Sequence, residues 1–145
     1  MNLEKEYQTF LDNGYTIAKK VPRAAYKREL KSFYKTRYTT SMNRLRDGHF
    51  LFDTEINYYL QELKQTIADA NTEYNFDETF LLVSRYTWPN AFSVGDGSIV
   101  VNLGLVEQLQ NESQLAFVLC HEFSHYFLNH ADKRFIERFN DRHSA

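Results

Sequence analysis

Thiol, proline and tryptophan are scarce in this chain of 145 residues, which has one cysteine, two prolines and one tryptophan. A lone Cys120 excludes an intrachain disulfide framework and a thiolate-built zinc cluster, and it leaves the redox compartment open. Its apolar neighbours make it read as a small core residue. No stretch approaches the roughly 18 consecutive apolar residues that a membrane-crossing helix needs. Met1-Asn2-Leu3-Glu4-Lys5-Glu6 is charged with both signs rather than built as the start of a signal peptide. Low-complexity segments and internal repeats are absent too, and 43% hydrophobic with 25% charged residues is the balance of a folded globular chain. The length suits a single domain with a real core, so one domain over 1–145 is the expectation.

Charge of one sign is missing overall, since the net charge is only -2, but it is not missing locally. Between Lys19 and Arg46 there are ten basic residues and one acid, Glu29. With Tyr26, Phe33, Tyr34 and Tyr38 interleaved, segment 19–46 could track an anionic membrane surface or a nucleic acid. The plainer reading is a solvated helix face, with Lys27, Lys31 and Lys35 opposite Tyr26, Leu30 and Phe33. No nucleic-acid partner is expected, and membrane-surface association of 19–46 stands as the functional alternative.

The first 75 residues read as mainly helical. Leu3, Tyr7, Phe10 and Leu11 predict an opening helix that ends near Asn13-Gly14, and Pro22 marks a boundary before a second one. Ile56, Tyr59, Leu60, Leu63, Ile67 and Ala70 recur at spacings of three and four, predicting an amphipathic helix over 54–74 with Asp53 or Thr54 as its cap and Gly48 closing the loop before it. The chemistry of residues 79–145 is different. Thr79 to Tyr86 is β-branched and aromatic enough for a strand, and it stops before Trp88-Pro89. Ala91 to Val94 and Ser98 to Val101 flank Gly95-Asp96-Gly97 as the arms of a hairpin. Asn102 to Gln110 suggests a short helix. Asn111-Glu112-Ser113-Gln114 then has the layout of a capping box before the apolar run Leu115 to Cys120.

That capped helix carries His121-Glu122-Phe123-Ser124-His125. At about 100° per residue the two histidines fall within about 40° of each other on one face, so both can turn a ring nitrogen to one tetrahedral ion. Glu122 beside them can take a proton from a water that zinc has acidified, which is the chemistry of peptide-bond hydrolysis. Two histidines and a glutamate on an exposed helix face could also be simply solvated. Ser124, between them, has no neighbouring base and does not read as a nucleophile.

The blocks Asn90 to Ser93, Gly97 to Leu105 and Asn111 to His125, continuing to His130, together resemble the M48 family of zinc metallopeptidases in order and spacing; the first 75 residues carry no such likeness. The resemblance implies an α+β, zincin-like fold, which with the pattern read above gives a helical N-terminal half, then a small antiparallel sheet of about three strands, then the active-site helix. It implies one zinc ion held by His121 and His125, with Glu122 as general base. It also makes the strand carrying Asn90, Ala91 and Phe92 a surface for pairing with the substrate backbone, as an edge strand can. The bacterial cell envelope or periplasm is the compartment it suggests.

M48 enzymes take their third protein ligand, a glutamate, from a later helix, and no such residue is evident here. On an unbroken helix His130 lies half a turn from His121, while Asp132 and Glu137 sit about 10 and 18 Å along the axis from His125. His143 requires the chain to fold back. The expectation is therefore an N-terminal portion of a longer peptidase, cleaving a peptide or protein substrate once complete. A non-catalytic interaction or chaperone-like module on the same scaffold is the alternative.

Overall fold

Leu81, Leu82, Val83 and Ile99, Val100, Val101 are all buried, so the two strands that carry them have no solvent face. In the computed structural model, which describes residues 2–20 and 27–128, these strands lie side by side at the centre of a mixed sheet covered by helices on both faces. The strands are β1 (Phe50–Leu51), β2 (Phe80–Ser84), β3 (Ala91–Ser93) and β4 (Ser98–Asn102), in the order β1-β2-β4-β3. The α+β class and the helical N-terminal half are as the sequence indicated. The sheet, however, has four strands rather than about three, and β2 pairs with β4 in parallel, from Phe80 opposite Ser98 to Ser84 opposite Asn102. Unbroken apolar runs suit parallel strands covered on both faces, where alternation between polar and apolar has no use. A two-residue β1 is too short to show any period at all.

Helices α1 (Leu3–Ala18) and α2 (Lys27–Arg46) cover one face, where Tyr7, Leu11, Met42 and Leu45 meet Phe50, Leu82 and Val100. Helices α3 (Glu55–Ala70) and α5 (Glu112–Leu128) cover the other, where Leu60, Leu63, Ile67, Leu115, Leu119 and Phe123 meet Leu81, Val83, Ile99 and Val101. Adjacent strand residues thus serve opposite cores, as the two-residue period requires.

Helix α1 runs through Gly14 instead of ending there. Tyr15 and Ala18 pack against Leu30 and Tyr34 of α2, contacts that outweigh the roughly 1 kcal/mol a helical glycine costs. Gly48, at φ 73°, terminates α2: the His49 N–H reaches the Arg44 carbonyl at 3.1 Å and the Gly48 N–H reaches Leu45 at 3.3 Å. Thr54 is the cap of α3, in a reciprocal capping box with Asn57, and α3 ends at Ala70 rather than Tyr74. Pro22 and Tyr26 lie outside the described residues. Of the basic segment, Arg28, Lys31, Lys35 and Arg46 are exposed. Arg37 is partly buried, its guanidinium over the rings of Phe33 and Tyr34 and donating to the Gly95 carbonyl at 3.3 Å. No described helix is long and apolar enough to cross a membrane.

Candidate metal and substrate site

Two polar side chains start α5. Asn111 Oδ1 accepts the Gln114 N–H at 2.9 Å, and Gln114 Oε1 accepts the Gln110 N–H at 2.7 Å. The box foreseen from Asn111 and Gln114 therefore forms, with its return bond one residue earlier than the usual pattern. From this start Leu115, Leu119, Phe123 and Tyr126 form the buried stripe. Phe123 is fixed edge-on against Phe76 at 5.0 Å, and the Tyr126 hydroxyl donates to Glu78 Oε2 at 3.3 Å. Cys120 is exposed and not the core residue its apolar neighbours implied. It sits about 100° around the helix from Leu119, off the buried stripe.

The same geometry puts His121 and His125 on the outer side of the helix, both exposed, with Glu122 half-buried between the two environments. Their Nε2 atoms stand 3.0 Å apart and the rings meet at 90°. At that distance one imidazole can donate to the other. It is also close to the edge of about 3.3 Å that two nitrogens span around one tetrahedral zinc with bonds near 2.05 Å. A small rotation of either ring converts one arrangement into the other, so the pair fits the ion. Partial burial raises the Glu122 carboxyl above its ordinary range, against the opposing pull of the His125 and His121 imidazoles. Among the described residues no group of three or more His, Cys, Asp or Glu is placed to hold a metal. His130, Asp132, Glu137 and His143 lie outside them.

β3 is the outer strand of the sheet on the side where α5 packs beside it. The Asn102 N–H donates to the Asn90 carbonyl and the Val94 N–H to the Ser98 carbonyl, each at 2.9 Å. In an antiparallel pair these bonds recur at alternate residues. Asn90, Phe92 and Val94 therefore direct their backbone groups toward β4, while Ala91 and Ser93 direct theirs outward. The side chains divide in the other sense: Ala91 packs with the core under α5, and Phe92 with the core under α1 and α2. Of the three residues singled out in the sequence, only Ala91 presents its amide and carbonyl at the edge, and Ser93 joins it.

The sequence pattern of peptidase family M48 matches residues 55–141, well over half of the chain. The chain belongs to peptidase family M48. No curated protein matches it. The matched span begins with α3 and takes in the whole sheet except β1, so the shared M48 unit is the face that carries the histidine pair. M48 metallopeptidases are zinc-dependent as a class, and membership supports a protease.

Three residues that support this M48 site were given no role from sequence. Asn102 is fully buried; its Oδ1 accepts from Ser84 Oγ at 2.6 Å and its Nδ2 donates to the Trp88 carbonyl at 3.1 Å. Ser84 Oγ in turn accepts the Tyr86 N–H at 3.3 Å. Gly104 lies so close under the same segment that a Cβ there would come 1.8 Å from the Thr87 carbonyl oxygen. Together they fix the chain that leads into β3. The legible signal was a polar residue directly after an apolar run in each of two strands, Ser84 after Leu81 to Val83 and Asn102 after Ile99 to Val101.

Proposed function

We propose that the protein is a zinc-dependent endopeptidase in which His121 and His125 hold the metal and Glu122 is the general base. The convergence of the two Nε2 atoms, 3.0 Å apart on the outer face of α5, carries this reading. Zinc, when bound, polarises a carbonyl and lowers the pKa of a water to about 7. Glu122, one residue from His121 and already raised toward the protonated form by burial, is suited to hold the proton taken from water and to pass it to the leaving amine. The outward amide and carbonyl groups of Ala91 and Ser93 can hydrogen-bond an extended peptide as an added strand. A third protein ligand has to come from outside the described residues.

Metal analysis and proteolysis of the full-length protein test the reading together. One zinc per chain is expected, with Glu122→Gln keeping the metal while losing about 10²- to 10⁴-fold in rate. Zinc-free protein, or a Glu122→Gln variant as fast as the wild type, would rule the reading out.

A further inference from the structure

Trp88 is 54% exposed, yet it is held in place from several sides. Its ring stacks on Tyr86, with centroids 4.4 Å apart and planes at 25°, and the Tyr86 hydroxyl lies 2.6 Å from His49 Nδ1. Its carbonyl accepts from Asn102, and its backbone rests over Gly104. An exposed indole so fixed offers a flat apolar face with little further ordering needed on binding.

Its position along the chain gives that face a use. Outward backbone groups along β3 belong to Ser93 and Ala91; two residues upstream of Ala91, outside the strand, stands Pro89, which has no N–H to donate. A peptide laid along β3 therefore loses its backbone ladder beyond Ala91, where the chain leads back through Pro89 to the exposed Trp88 ring. There recognition passes from main chain to side chain.

We propose that Trp88, backed by Tyr86, is the specificity-determining residue that receives an apolar or aromatic side chain of an extended peptide substrate paired along β3. This role presupposes the peptidase reading given above. His49 and Tyr86 are positioning residues that set the angle of the indole.

Trp88 is the one tryptophan among these 145 residues, and the part of the tryptophan emission change that disappears in Trp88→Phe reports this site. Full-length Glu122→Gln protein is titrated with extended peptides of alanine and serine in which one phenylalanine is moved along the chain, and the same peptides are offered to the wild type for cleavage. Trp88 emission is expected to change with phenylalanine at one favoured position and not with glycine there. In the wild type, the phenylalanine-to-glycine ratio of kcat/KM at that position should fall about tenfold in Trp88→Ala and be largely retained in Trp88→Phe. Cleavage with no emission change and a ratio unmoved by Trp88→Ala would overturn the role of Trp88 and leave the peptidase reading standing. An emission change without any cleavage would support peptide binding at Trp88 and overturn the peptidase reading. The absence of both cleavage and an emission change overturns both readings.

Discussion

Ser84 and Asn102 face each other across the parallel pair β2 and β4, the serine hydroxyl donating to the asparagine carbonyl oxygen at 2.6 Å with both side chains fully buried. The bond joins the last residues of the two central strands. Asn102 then spends its amide on the Trp88 carbonyl and its backbone N–H on Asn90. A single side chain thereby couples sheet registry to the path of the chain into β3.

Asn102→Ala removes the partner of two groups at once, the buried Ser84 hydroxyl and the part-buried Trp88 carbonyl. A loss of about 2 to 4 kcal/mol in urea unfolding is expected. Ser84→Ala should cost less, because Asn102 keeps its bond to Trp88. Equal losses from the two substitutions would contradict the coupling.

Gly104→Ala puts a methyl group on the Thr87 backbone, and backbone cannot swing aside as a flexible side chain can. About 2 to 3 kcal/mol of destabilisation is expected, with a shift in Trp88 emission as the 87–88 segment is displaced. An unshifted spectrum would mean that α4 (Leu103–Gln108) moved instead.

His121 and His125 are exposed and contribute nothing to the buried stripe of α5. Alanine at either position should leave the metal-free unfolding free energy within about 0.5 kcal/mol while abolishing tight zinc binding. Circular dichroism melts beside metal analysis would separate the two effects. A large loss of stability in metal-free protein would make the pair structural.

Lys64 gives a pH test. Its Nζ donates to the Thr79 carbonyl at 2.9 Å, and burial lowers its pKa from 10.5 to about 8, with Asp77 acting in the opposite sense. Between those values the unfolded chain holds a proton that the folded chain has released, so stability rises with pH across that window. Lys64→Met should remove this rise. Denaturant midpoints at pH 7.5 and 9.5 check it: a wild type with no gain relative to Lys64→Met would show the amine to be better solvated than its surroundings imply.

Local patterns in the chain made much of this architecture legible. Spacing of Leu60, Leu63 and Ile67 places α3, the two glycines at φ 96° and 98° fit the hairpin foreseen at Gly95-Asp96-Gly97, and Asn111 with Gln114 starts the motif helix. Each feature depends on residues within a turn or two of one another. Where α1 ends was not legible, because Tyr15 and Ala18 continue the helix only by packing on α2. Nor was the order of the strands, because Val83 and Val101 are equally apolar whichever neighbour they take.

By itself, then, the sequence determined that His121 and His125 share one helix face with Glu122 beside them, since a period of 3.6 residues allows no other arrangement once the helix forms. Which residues serve that face follows from packing between elements far apart in the chain. Placing β4 between β2 and β3 turned the backbones of Ala91 and Ser93 outward and spent those of Asn90 and Phe92 on the sheet. It also brought Asn102 and Gly104 under Trp88. Those are pairings across many residues, fixed by which surfaces bury each other and written in no local period.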